Sequence, residues 1–416
     1  MNMNALFDPI EAVRTSCAEV ASVSSLVAIN DDACEVFASD LMLRLGDLRR
    51  LSGGDSDGKS DEKSNTSPFH NYRDEWARMG WDPSSSSSNV DLLFELEEEI
   101  TACAILHMLN IGHGHKHRLK ELKLGRYKYG GYGSAYVTVL EGIGRAIVES
   151  KQKKGQCCSS QRMKDWSPED TERCFLLPKE ELFAVQITKV LQETGTILLA
   201  KGHRSIGAFI ISIASPSSND KKEHGTAGIS VSEFVRNLVE TIPAFCDRGI
   251  YKRGDGCGTI TVHFYKKAFL LAKDIASPHR FSSLSNGSST DGGGGGCSGL
   301  SVSFDLQGLD KLTVMADNVL PAVLGAKGVL RVDDTKSKDI ITMGTPLPMG
   351  TELELELRAL SVEACERIVG HMNKRLQHKS SPVTAMELDL WIWGILGKDE
   401  EFRNAPRHFT PTTIFY

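Results

Sequence analysis

Apolar residues recur at three- and four-residue intervals over much of the chain. In KEELFAVQITKVLQETGTILLAK (179–201), Leu182, Phe183, Val185, Ile187, Val190, Leu191, Ile197 and Leu198 largely keep that spacing, which predicts an amphipathic helix. AYVTVLEGIGRAIVES (135–150) and SVEACERIVGHMNKRL (361–376) follow the same period. Ser230-Val-Ser-Glu233 is a capping box opening a helix that Pro243 closes, and Thr384-Ala-Met-Glu387 opens another at MELDLWIWGIL. Two stretches alternate instead, GTITVHF (258–264) and ELELEL (352–357), and these predict strands. The expected fold class is mainly α, with little β-strand.

Five polar, low-complexity stretches interrupt this pattern, near 52–67, 84–89, 151–161, 215–228 and 282–299. Their Ser, Gly, Asp and Lys residues bury too little apolar surface to offset the entropy of ordering, which predicts flexible surface loops. The segments between them are short, so they read as insertions into one body spanning 1–416 rather than as linkers between domains.

Composition narrows the function classes. With 40% of its 416 residues hydrophobic, the chain can bury a large core. A formal net charge of −6 provides no cationic field for a nucleic-acid backbone, so direct nucleic-acid binding is not expected. No apolar run approaches the roughly 18 residues of a membrane span, and MNMNALFDPIEAV lacks the basic-then-apolar layout of a secretory signal. The ten cysteines form no C-x-x-C pair, which predicts reduced thiols in a cytoplasmic protein rather than a disulfide frame or a zinc site.

Several stretches offer candidate chemistry. In TVMADNVLP (313–321), Asp317 follows an apolar run and precedes Pro321 by four residues, the layout of a helix N-cap with proline in the first turn. GHGHKHRLKELK (112–123) places His113, His115 and His117 two residues apart. Only the outer two share a helix face, so a solvated basic loop or helix start is expected there and no metal. GDGCG (254–258) matches no phosphate-loop spacing and predicts a turn into GTITVHF. In HFYKKAFLLAKD (263–274), Lys266 and Lys267 beside apolar residues read either as snorkelling lysines of an amphipathic helix or as an anchor for one phosphate. Asp389 and Trp393 lie one turn apart on MELDLWIWGIL, where a carboxylate could accept a pair of N–H donors and an indole could stack on a base.

Taken in order, these segments resemble the queuosine salvage protein family, the queuosine 5′-phosphate N-glycosylase/hydrolases. VLQETGTILLAK (190–201) resembles the family's Glu-Thr-Gly-x-Ile-Leu helix end, and FVRNLVETIPAFCD (234–247) its Phe-Pro-x-Tyr-x-Asp segment. HFYKKAFLLAKD resembles Phe-Tyr-Lys-[Arg/Lys]-Ala-Gln, and LTVMADNVLPAVL resembles Phe-Ala-Asp-x-x-x-Pro-x-Val-Leu. MELDLWIW and PRHFTPTTIFY resemble the closing Leu-Asp-x-x-[Leu/Ile]-Trp and Pro-x-His…Tyr-Tyr segments. The resemblance covers roughly 180–416, with looser likeness upstream in AILHMLNIG and YGGYGSAYVTVLEGIGRAI.

The resemblance implies a compact helical fold similar to DNA glycosylases and hydrolysis of the bond between queuine and ribose 5-phosphate, with no cofactor and a small nucleotide as substrate. It makes Asp317 the catalytic carboxylate, Asp389 a base contact, and Lys266 and Lys267 the holders of the 5′-phosphate, with His70 of SPFHNYRDE matched to a pocket histidine. Met315, Leu390 and Trp393 would complete the pocket. Met315 stands where the family often has Phe, Leu390 where an aromatic is common, and Gly394 where some members carry a second aspartate. These departures fall on base recognition more than on the catalytic position, and a diverged binding protein without turnover is the alternative expectation.

Overall fold

The computed structural model describes residues 7–51, 96–126, 131–152, 158–215, 228–277 (without Asp255 and Cys257), 304–376, 381–394, 396 and 400–416. Four of the polar stretches, including all of 52–67, 84–89 and 282–299, lie wholly or almost wholly outside these residues, and 151–161 does so in part. His70 also lies outside them.

The fold is mainly α, as the periodicity predicts. Helices span Ala135–Gln152, Leu182–Ala200, Val231–Thr241 and Ala385–Gly394, where the apolar spacing places them. The caps form as the residues suggest: Ser230 Oγ accepts from the Glu233 amide at 3.1 Å. Thr384 and Glu387 exchange the two bonds of a capping box, Glu387 N to Thr384 Oγ1 at 3.1 Å and Thr384 N to Glu387 Oε2 at 2.9 Å. Strand is confined to three two-stranded pairs among the described residues. Arg248–Lys252 and Thr259–His263 form an antiparallel hairpin with Tyr251 opposite Ile260, and Gly254, Gly256 and Gly258 of the GDGCG stretch lie between its strands. Val27–Ile29 pairs antiparallel with Leu330–Val332, and Ile229–Ser230 pairs parallel with Leu306–Gln307.

ELELEL is not a strand. It opens the helix Glu352–Arg375, which packs against helices Pro9–Val23, Asp31–Leu43, Val319–Ala326 and Ala385–Gly394. The opening turns, covered on several sides, have no polar face to display, so period 3.6 disappears from ELELEL, while the remainder, 361–375, keeps the amphipathic period read from the sequence. Leu353, Leu355 and Leu357 are buried, and so are Glu354, Glu356 and Arg358. The glutamates survive burial because each is hydrogen-bonded. Glu356 accepts from the amides of Ser25, Leu26 and Val27 at 2.8–3.0 Å and from the Tyr251 hydroxyl at 2.8 Å. That one carboxylate joins the first strand and the hairpin to the central helix.

Gly195, in the Glu-Thr-Gly segment, marks where Leu182–Ala200 crosses the short helix Ser160–Lys164 at close range. A Cβ there would collide with the Lys164 amide nitrogen and the Ser160 carbonyl, backbone atoms that cannot turn aside. Gly195→Val is therefore expected to destabilise the fold by about 1–3 kcal/mol or more, read as a lower denaturation midpoint. An unchanged midpoint would show that the two helices are not in contact there.

Candidate functional site

The apolar segment Leu312–Ala316 is buried throughout and delivers Asp317 to the start of the helix Val319–Ala326. Asp317 is not the N-cap expected from the sequence, a position Asn318 occupies; from one residue earlier its Oδ1 accepts from the amide of Val319, the first helical residue, at 2.6 Å. Its other oxygen, Oδ2, takes the Lys266 ammonium at 2.9 Å, with both side chains buried. Lys266 opens the helix Lys266–Ala276, and Tyr265 before it adopts a left-handed conformation (φ 51°) that turns the chain out of the hairpin.

Buried charged side chains hold three consecutive residues here. Asp389 Oδ1 accepts from the Met315 amide at 2.8 Å. Arg358 Nε donates to the Ala316 carbonyl at 3.2 Å. Lys266 takes the Asp317 carboxylate. The catalytic and base-contact aspartates inferred by resemblance are thus brought together across one peptide segment, with Met315 buried between them. Burial pushes the Asp389 carboxyl up to about 7, helped by the nearby negative charge of Asp317 and opposed by the Met315 amide. Trp393 and Leu390, on the same helix, are half-buried.

Arg358 is the residue that the sequence did not single out. Its guanidinium donates to both oxygens of Asp247 and to Glu354 Oε1 at 3.2 Å, and lies 3.8 Å from the Phe264 ring centroid and 4.6 Å from that of Tyr416. Tyr416 donates to the same Glu354 oxygen at 3.0 Å, and His408 Nε2 lies 3.1 Å from the Tyr416 hydroxyl. The available signal is the Glu354–Arg358 spacing of four on one helix face, which the period-two alternation of ELELEL hides. A cleft of about 510 Å³ has Asp247, Glu354 and Arg358 in its wall together with Arg248, Ile250 and Met349; Asp317 and Asp389 do not line it.

The lysines do not snorkel. Lys267 is buried, donating to the carbonyls of Met108 and Ile414 at 2.7 Å each, and burial lowers its pKa to about 7. It anchors the C-terminal segment, whereas Lys266 spends one donor on Asp317. The histidine stretch does begin a helix, but His115 is buried rather than solvated. It stacks on Phe183 at 5.0 Å and its Nε2 lies 3.0 Å from Gln186 Oε1.

The chain belongs to the queuosine salvage protein family, whose sequence model matches residues 104–416. It is 26% identical over 228 residues to a queuosine 5′-phosphate N-glycosylase/hydrolase of Dictyostelium discoideum, and 27% identical over 241 residues to one of Nematostella vectensis. Each match covers 55% of this chain and 57% of the relative, so the chain spans little more than half the length of these curated relatives. Among the described residues no helix is long and apolar enough to cross a membrane.

The Asp389 environment has a measurable consequence. Its folded-state pKa, about 7, lies above the ordinary 3.8, so the folded protein holds this proton more tightly than the unfolded chain. Its contribution to stability is full below about pH 4 and is lost as pH rises through 7. Asp389→Asn keeps an acceptor for the Met315 amide but does not titrate. The variant's stability relative to wild type should therefore rise between about pH 4 and 7, by at most ~1.4 kcal/mol per pH unit. A stability difference independent of pH, in denaturation curves at matched ionic strength, would mean that Asp389 is charged and solvated.

Proposed function

We propose that the chain hydrolyses the N-glycosidic bond of queuosine 5′-monophosphate or a closely related deazapurine nucleotide, releasing queuine for salvage into tRNA modification. The observation that carries this reading is the buried Asp317–Lys266 ion pair, 2.9 Å long, in a chain of this family. Cleaving the bond from base to ribose builds positive charge on the sugar, as in glycoside hydrolysis generally. A carboxylate fixed in a water-poor interior stabilises that charge without having to reorganise. Asp317 needs no movement of its backbone to do so, because Asp389 and Arg358 hold the two preceding residues.

Lys266 serves twice in this scheme. It balances Asp317 before substrate arrives, and its remaining N–H groups donate to a phosphate or ribose oxygen. Asp389 accepts the paired N–H donors of a guanine-like edge. Such donors stabilise its ionised form and so offset the burial that raises its pKa. Trp393, half-buried one turn away, offers a stacking plane. Met315 and Leu390 replace aromatic residues common in the family, and base discrimination is correspondingly weaker. One observation favours the second reading, a binding protein without turnover: both Asp317 oxygens already have partners.

Incubation of purified protein with queuosine 5′-monophosphate, followed by chromatography for free queuine, tests the proposal. Release of base is expected. Asp317→Asn should reduce turnover by about a hundredfold to a thousandfold or more while calorimetric binding of the nucleotide persists. Nucleotide binding with no base released by wild type would establish the second reading, and neither binding nor release would end both.

A further inference from the structure

A second cluster of chemically active side chains lies along the helix that carries Lys266. Cys103 and His107 are four residues apart on the helix Leu96–Met108, hence on one face, and Asp274 meets them from Lys266–Ala276, which packs against it. Cys103 Sγ, a ring nitrogen of His107 and a carboxylate oxygen of Asp274 all lie within 4.8 Å of one another, and all three residues are buried. We propose that Cys103, His107 and Asp274 form a zinc site that ties these two helices together.

Three physical points support it. Thiolate, imidazole and carboxylate are the three protein ligand types of zinc, at about 2.3, 2.0–2.1 and 2.0–2.2 Å. Ligand atoms on one such ion are spread over less than 4.8 Å, so the span fits a single metal. The charges also balance, since one thiolate and one carboxylate neutralise a divalent cation, leaving no net charge in the interior. His107 Nε2 and Asp274 Oδ2 now share a 2.5 Å contact. Binding requires that contact to open by about 1 Å, to the separation of two ligands on a tetrahedral ion, with the Cys103 thiol proton released to solvent and the proton of the His107–Asp274 contact moved to His107 Nδ1 or released as well. A water takes the fourth position.

The place is structural rather than catalytic. Asp274 lies about two turns along the helix from Lys266. His107 is adjacent to Met108, whose carbonyl receives Lys267. A metal here would fix the helix that presents both lysines. The tightly spaced histidines at 113–117 are not involved.

The full chain, dialysed against zinc and then against zinc-free buffer, should retain about one zinc per chain by elemental analysis. Cobalt in its place should show a thiolate-to-cobalt charge-transfer band. Added zinc should raise the thermal midpoint of the wild type, and Cys103→Ser should lose the band and the shift. Less than about a tenth of an equivalent of zinc, or a cobalt spectrum without the thiolate band, overturns the proposal. So does zinc retained undiminished in both Cys103→Ser and Asp274→Asn. If the Cys103→Ser chain fails to fold, the wild-type cobalt spectrum decides alone. None of these readouts depends on nucleotide hydrolysis.

Discussion

Arg358 is a guanidinium with almost no contact with water, and such a group survives only where its donors are matched. Its partners come from four parts of the chain: Asp247 and the Phe264 ring at the two ends of the hairpin, Glu354 one turn earlier on its own helix, the Ala316 carbonyl, and the ring of Tyr416. Two carboxylates around one cation would leave an excess negative charge. Hydrogen bonds to Glu354 from Tyr416 and from the Gly350 amide at 3.1 Å help carry it. The hairpin, the central helix, the Asp317 segment and the C-terminal residues are therefore constrained in common, because displacing one leaves a buried charge short of a partner.

The candidate site inherits its rigidity from this arrangement. Asp317 hangs from a peptide segment whose amide and carbonyl are taken by Asp389 and Arg358, and its own oxygens are divided between a helix N-terminus and an ammonium. Two carboxylates so close together would repel if both were charged and bare. The protein separates their environments instead: one faces Lys266, while burial biases the other toward its neutral form up to about pH 7. Pairs of titratable groups driven apart in this way are common in sites that handle charge.

Much of this was legible in the residues and some was not. Helices with one apolar stripe, such as Leu182–Ala200 and Val231–Thr241, announce themselves because one side meets the core and the other meets water. The opening turns of Glu352–Arg375 conceal themselves because their polar residues are inside too, and Glu354, Glu356 and Arg358 take part in bonds whose partners are remote in sequence, whereas 361–375 shows its helical period. Lys266 and Lys267 misled for the same reason. An isolated sequence treats lysine as a surface group, and only the fold supplies the carboxylate and the two carbonyls that let these two go inside. Asp317 read as a cap and, by resemblance, as the catalytic carboxylate. The cap position itself falls to Asn318, while Asp317 takes the first helical amide from one residue earlier, and the ion pair that would serve the second role sits on the same carboxylate.

The C-terminal segment imposes an order on biosynthesis. Gln186 donates to the carbonyls of Pro411 and Thr413, Lys267 to that of Ile414, and Tyr416 closes over Arg358. Gln186 and Pro411 are separated by 225 positions, and Lys267 and Ile414 by 147. As the ribosome extends the chain, the earlier helices can form and begin to pack. Their buried amide and ammonium groups must nevertheless remain hydrated until residues 411–416 have been made. Completion of the core therefore waits on the synthesis of residues 411–416, and a chain arrested before them would present a wet, charged opening where the folded protein has a sealed interior.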